Sequence, residues 1–291
     1  MGIVKCLYEI KKKKASIIRY QGGLGNQMFQ YAYKLRLKSM GFKVYDDLSF
    51  YYFNQQYMPF VLTEVFNNIQ IDECSSNMLV TKAVRGIVKK KDIYKLDENY
   101  TLYNEYNLTT AGWHEGYWQS YKYYESIMQE INHVFQFEKT KNSYVANLAK
   151  EIQCLNAISI HVRAGDYLKK ENYKNFGGIC TKEYYNNAIE YMSIHLSNPV
   201  FFVFSDDVDW VKKNIPIKNV IYMDNKKTND YEDWMDMYFM SICKHNIIAN
   251  SSFSWWGAWL NRNSDKIVIC PKKWTQEYDN IEICPRDWIR L

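Results

Sequence analysis

Long hydrophobic runs are missing from this 291-residue chain. No stretch of about 18 consecutive apolar residues occurs, so no membrane-spanning helix is expected. The start does not read as a signal peptide: Met1–Ile10 is a mixed decapeptide followed by four lysines, the reverse of a leader's charged-then-apolar order. Cysteine is sparse and shows no pairing pattern. The seven positions are 6, 74, 154, 180, 243, 270 and 284, an odd number with no C-x-x-C spacing, which argues against a disulfide framework and a zinc ribbon. Thiols in a reducing cytoplasm are the expectation. Only five histidines occur, none as H-x-x-x-H, so no dedicated metal cage is expected. Strong charge of one sign is also absent. A net charge of +5 is too mild to indicate nucleic acid, and the basic run Lys11–Lys14 reads as a solvated stretch. A mild positive balance suits an anionic small molecule such as a nucleotide sugar.

What the chain does have is aromatic surface: 26 Tyr and 9 Trp, side chains that fill cores or stack on sugar rings while their polar tips hydrogen-bond. The length fits one large domain or two of about 150 residues. Ala15–Tyr20 reads as a short buried strand, followed by the glycine loop QGGLGNQ from Gln21 to Gln27. Phe29, Ala32, Tyr33, Leu37 and Met40 then fall on one face of a helix that Gly41 would stop, and FKVYDDL is a second strand. Strand, glycine loop, helix, strand opens a parallel α/β domain. Residues 51–110 lack a clean period and carry a basic patch at 89–91; helices and loops are expected there. Tyr121–Val134 is amphipathic at helical spacing. In the second half, strands are expected at Ala157–Val162, Val200–Phe204, Val220–Met223, Asn246–Ala249 and Lys266–Cys270. Helical patterns such as Lys182–Ser197 and Asp230–Lys244 lie between them, and the near-continuous apolar strands are those of a buried parallel sheet. The polar stretch Glu138–Ser143 divides the chain, giving an N-terminal domain over 1–140 and a C-terminal domain over 141–291.

Four constellations could carry chemistry. In GGLGNQ, Gly23, Gly25 and Asn26 would let backbone amides approach an anion at a helix start, although a bare tight turn has the same look. Met28 stands where a dinucleotide fingerprint needs its third glycine. In ISIHVRAGDYL a buried strand ends in His161 and Arg163, whose fork fits a pyrophosphate; the competing reading pairs Arg163 with Asp166. In VFFVFSDDVDW, Ser205, Asp206 and Asp207 follow a strand and either chelate a divalent cation or cap the next helix and hold a neighbouring loop. The second is favoured, because Arg163 can serve the phosphates. In DMYFMSICKHNIIANSSFSWWGAWL, Asn250, Ser251, Ser252 and Phe253 lie where a strand meets a helix start, a phosphate pocket in kind. Asp236 on the preceding helix could accept both N–H groups of guanine or merely complement that helix's N-terminal charge. Trp255, Trp256 and Trp259 read as core rather than as a sugar platform.

GGLGNQMFQYA (22–32), GYWQSYKYY (116–124), HVRAGDY (161–167), FVFSDD (202–207) and NSSFSWWGAWL (250–260) together resemble the motif set of the α-1,2-fucosyltransferases, glycosyltransferase family 11, in order across roughly residues 15–275. The resemblance implies a GT-B-like α/β fold: two Rossmann-like domains with the active site in the cleft between them, the first on the acceptor side and the second binding GDP-fucose. It implies inverting transfer of L-fucose from GDP-fucose to the 2-hydroxyl of a terminal β-galactose of a glycan, without a metal or other cofactor. Arg163 takes the place of the arginine that holds the diphosphate, with His161 beside the nucleotide. Asn26 falls near donor phosphate and acceptor, Ser251 and Ser252 on the phosphate, and Asp236 on guanine. Ala164 departs from the family's second arginine. Partners implied are GDP-fucose and a β-galactoside-terminated glycan, with no nucleic acid and no membrane span. Another sugar-nucleotide transferase, or a non-catalytic carbohydrate- or nucleotide-binding protein, is the alternative. Asp46, Asp47 and Glu115 are acidic candidates for a base, among which the sequence does not choose.

Overall fold

The computed structural model describes residues 8–9, 12, 15–54, 59–73, 103–137, 143–164, 170–223, 232–277, 279 and 282–291. The chain divides into two compact units, Met1–Glu138 and Lys139–Leu291. The basic patch at 89–91, Asp166, Cys6 and Cys74 fall outside the described residues.

In the first unit, β1 (Ala15–Arg19) leads through the glycine loop into α1 (Leu24–Ser39) and then β2 (Lys43–Asp47). Helix α1 stops where the sequence predicts. Gly41 adopts φ +89°, Phe42 N–H donates to the Leu37 carbonyl at 3.1 Å, and Gly41 N–H donates to Lys38 at 2.9 Å. That pair of bonds satisfies the last carbonyls and favours glycine at the left-handed position. Short helical turns follow at Ser49–Asn54, Leu62–Val65 and Tyr106–Thr109. β3 (Trp113–Glu115) then joins a sheet of order β2-β1-β3, every pairing parallel among the described residues. The helix expected over 121–134 is only half formed. Two 3₁₀ turns, Tyr121–Tyr123 and Glu125–Ile127, precede α2 (Met128–Val134). Tyr121, Tyr123 and Tyr124 are all buried, and a regular α-helix does not turn three such neighbours into one core.

The second unit opens with α3 (Ser143–Cys154) and β4 (Ala157–Val162), then α4 (Lys170–Phe176), α5 (Lys182–His195), β5 (Val200–Ser205), α6 (Val208–Asn214) and β6 (Val220–Met223). It closes with α7 (Trp234–Ile242), β7 (His245–Ile247), α8 (Ser252–Trp259), β8 (Val268–Cys270) and β9 (Ile289–Arg290). Its described strands form one parallel sheet of order β6-β5-β4-β7-β8-β9. The VFFVF run works as a strand buried on both faces. Phe201 and Val203 pack with Tyr184, Ala188 and Met192 of α5, while Phe202 and Phe204 pack with Ile152 of α3 and Phe239 of α7. Each such fully buried phenylalanine contributes about 1.5–3 kcal/mol. β7 and β8 are shorter than their apolar runs, and β9, only two residues long, gives no pattern to read.

Cys154, Cys180, Cys243, Cys270 and Cys284 are thiols rather than disulfides. No helix among the described residues is long and apolar enough to cross a membrane. Both sheets contain a point where the strand order reverses. In the first unit the chain passes from β1 to β2 on one side, and β3 is added on the other. In the second, β4, β5 and β6 run outward one way, while β7, β8 and β9 run the other. Open α/β sheets bind ligands outside the carboxyl ends of the strands that flank this reversal.

Candidate active site

The reversal in the second unit lies between β4 and β7, and most of the predicted donor residues stand at its edges. His161 and Arg163 sit at the end of β4, Asn250 and Ser251 just beyond β7, and Ser252 and Phe253 open α8. The His161 and Phe253 ring centroids are 6.0 Å apart. His161 is buried, and its Nδ1 has no hydrogen-bond partner among the described residues. A buried polar atom left so costs about 1–3 kcal/mol, a cost that a ligand's polar group would remove. Burial lowers the His161 pKa to about 3, with the Arg163 cation pushing the same way and Asp206 opposing, so the ring is neutral at pH 7.

Arg163 is one-third exposed, and its Nε lies 3.7 Å from Oδ2 of Asp206. Asp206 Oδ1 accepts from the Ala164 N–H at 2.9 Å. Asp207 caps α6 by accepting from the Trp210 N–H at 2.9 Å, and Ser205 Oγ accepts from the Asp207 N–H at 3.1 Å. In this arrangement Asp207 caps a helix and Asp206 holds the neighbouring β4 loop. Arg163 also borders a cavity of about 130 Å³ together with Tyr173, Gly178, Lys182 and Trp210.

Asn250 is spent on the protein. Its amide donates to the carbonyls of Trp274 at 3.0 Å and Phe176 at 3.3 Å, and its oxygen accepts from the Cys180 thiol at 3.4 Å. Its side chain shapes the strand end. Ser251 is the N-cap of α8, and its hydroxyl makes no capping bond. Asp236 is half-buried in the first turn of α7. That helix packs against the same core cluster as Phe253, which sets Asp236 on the α8 side of the sheet. Trp255 and Trp256 are fully buried, and Trp255 Nε1 donates to the Ile283 carbonyl at 3.0 Å, as core residues do.

The first unit has its own strand-end site. Gly22 takes φ +85°, and a Cβ there would stand 2.5 Å from Asn26 Nδ2, so this glycine, rather than Gly23 or Gly25, is the one the turn demands. Gly23 is the N-cap of α1, and Gly25 is buried in its first turn. Asn26 is half-buried, with its Oδ1 accepting from Gln119 Nε2 at 2.9 Å. Gln27 is structural: its Oε1 accepts from the Val61 and Leu62 N–H groups, and its Nε2 donates to the Gly22 and Pro59 carbonyls. Gln30 ties the Gln21 backbone to the Gly116 carbonyl and so clamps both sides of the β1–β3 reversal. Gln30 and Gln119 escape a sequence reading because their work is done through contacts 86 and 93 residues away.

Of the acidic candidates, Asp46 is committed to a buried network. It pairs with Lys34 at 2.5 Å, and it accepts from the Tyr20 hydroxyl at 2.9 Å and the Asp72 N–H at 2.6 Å. Asp47 accepts from the Ser49 N–H at 2.9 Å in the turn after β2. Glu115 ends β3 opposite Arg19, with Oε2 3.7 Å from Nη1.

The sequence model described as "Glycosyl transferase family 11" matches residues 4–291. An Escherichia coli protein named alpha-1,2-colitosyltransferase is 33% identical, with 89% of this chain and 91% of that protein aligned. An Escherichia coli O-antigen biosynthesis glycosyltransferase, WbnK, is also 33% identical, over 87% of this chain and 92% of the relative. Among solved structures, a mutant of Arabidopsis thaliana FUT1 in complex with GDP superposes with a TM-score of 0.51 at 11% identity, covering 99% of this chain and 80% of that one; this likeness concerns the fold.

Proposed function

The chain belongs to glycosyl transferase family 11, and on that premise we propose that it is an α-1,2-fucosyltransferase. In this reading it moves L-fucose from GDP-fucose to the 2-hydroxyl of a terminal β-galactose, with inversion and without a metal. The observation that supports the reading is that Arg163, just past the end of β4, and the start of α8, just beyond β7, both stand at the β4–β7 reversal. As the bond from the anomeric carbon to the diphosphate breaks, negative charge grows on the departing phosphate. Arg163, the amides at the α8 start and the hydroxyls of Ser251 and Ser252 would stabilise that charge with groups already in place. His161, neutral and with an unsatisfied Nδ1, would take a hydrogen bond from the nucleotide or give one to it. Asp236 would read guanine. The carboxylates of Asp206 and Asp207 hold the loop and cap α6, which leaves the charge stabilisation to Arg163.

A second reading of the donor is favoured by the colitosyltransferase relative. Colitose is fucose without its 3-hydroxyl, so the same site could take GDP-colitose. The O-antigen relative favours a role in building a surface polysaccharide. The deciding experiment is turnover with GDP-fucose and with GDP-colitose against a panel of β-galactoside-terminated glycans, each with and without EDTA. Transfer from GDP-fucose that survives EDTA and falls about 10²–10³-fold in Arg163→Ala is the expected result. Turnover with GDP-colitose alone would replace the donor, and undiminished turnover by Arg163→Ala would overturn the assignment of the site.

A further inference from the structure

We propose that Lys182 is a second cation of the donor site, binding the diphosphate of the GDP-sugar beside Arg163; the proposal rests on the transferase reading above. All of its parts lie in the second unit. Arg163, Ala164 and Lys182 line one cavity of about 130 Å³, with Trp210 and Asn250 in its wall. A single water needs about 10–15 Å³, so the cavity has room for phosphate groups.

The start of α5 is fastened to both strands that flank the β4–β7 reversal. Lys182 is the first residue of α5, following the N-cap Thr181, whose hydroxyl accepts from the Tyr184 N–H at 3.2 Å. Three residues on, the Tyr185 hydroxyl donates to the His161 carbonyl at 3.1 Å, two residues before Arg163. Asn250, beyond the end of β7, donates to the Phe176 carbonyl at 3.3 Å, and Gln276 donates to the Gly177 carbonyl, which anchors the connection from α4 to α5. Lys182 is thus placed beside Arg163 at the reversal, where open α/β sheets bind their ligands.

Charge supplies the reason for a second cation. A diphosphate carries more than one negative charge, and Arg163 meets it already partly compensated, with Oδ2 of Asp206 3.7 Å from its Nε. The next residue along the chain, Ala164, is buried and brings no charge. Lys182 is exposed. It stands in the first turn of α5, where a cation adds to the positive end of the helix dipole; Glu183 in the same turn is the residue that suits the helix. The position of Lys182 therefore does nothing for α5 and favours an anion bound beside it. Arginine grips a phosphate with a planar fork, and lysine adds a point charge on a flexible stem, so the two cations complement each other.

The test is calorimetric titration of GDP into Lys182→Met, Lys182→Arg and Arg163→Ala beside the wild type, at low and high salt. The expected result is GDP binding about tenfold weaker in Lys182→Met, with a shallower salt dependence, and binding within threefold of wild type in Lys182→Arg. Lys182→Gln takes the place of the methionine variant should that protein not fold. Lys182→Met binding GDP within threefold of wild type, or a loss that Lys182→Arg does not restore, overturns the proposal; weakened binding in Arg163→Ala then leaves the donor reading standing. A wild-type protein that binds no GDP overturns both.

Discussion

Asp206 and Arg163 stand at the ends of neighbouring parallel strands, with Oδ2 of the carboxylate 3.7 Å from Nε of the guanidinium and Oδ1 accepting from the N–H of Ala164. The aspartate thus fixes both the backbone that carries Arg163 and the direction of its fork.

Asp206→Ala is therefore expected to weaken GDP binding about tenfold, the equivalent of about 1.4 kcal/mol in one oriented charged contact. Isothermal titration with GDP measures this directly. Unchanged affinity would mean that Arg163 is positioned without the carboxylate.

Gly22 and Gly23 are adjacent and should respond oppositely. Gly22→Ala puts a side chain at φ +85° and its Cβ 2.5 Å from Asn26 Nδ2, whereas a methyl group on Gly23 would meet nothing within 4 Å. The first change should cost about 1–3 kcal/mol and the second, limited to the loss of a favourable N-cap residue, no more than about 1 kcal/mol. Chemical denaturation of the two variants compares them.

Lys34 and Asp46 form a fully buried ion pair in the first unit, and Lys34 also donates to the Gln70 carbonyl at 2.7 Å. Burial pulls the lysine pKa down and pushes the aspartate up, each partly offset by the other. Lys34→Met strands the carboxylate and should destabilise by about 3–5 kcal/mol. Restoration of stability on adding Asp46→Asn would identify the stranded charge as the cause, and an undisturbed Lys34→Met protein would contradict it.

His114 supplies a pH dependence. Burial lowers its pKa to about 4, and Tyr33 and Ser16 bond its two ring nitrogens at 3.2 Å each. The unfolded chain binds this proton near pH 6.5 and the folded one only near 4, so stability is full above 6.5 and declines as pH falls through that window. At about 1.4 kcal/mol per pH unit the loss reaches roughly 3 kcal/mol by about pH 4. His161 and His245, also depressed by burial, act in the same sense. Guanidinium unfolding at about pH 7.5, 6 and 5 should show the decline in wild type and a shallower one in His114→Asn. Equal slopes would remove His114 as a source.

The fold class and the strand ends where chemistry is placed are legible in the linear chain. The near-continuous apolar run VFFVF, the glycine stop at Gly41 and the helix start after Ser251 are local properties, readable because composition and capping depend on near neighbours. The motif order also carried the family, which the match over residues 4–291 bears out. Which polar side chains serve the fold is settled only by packing. Asn250, Gln27 and Asp46 have the composition of ligand-binding groups but close hydrogen bonds with backbone far away in sequence, while His161 keeps a ring nitrogen with no partner among the described residues. Packing also sets Glu115 opposite Arg19, because strand order and register arise from crossovers that no local pattern encodes. A polar residue's role depends on whether its partners are already supplied by the fold, and those partners come together only when distant segments meet.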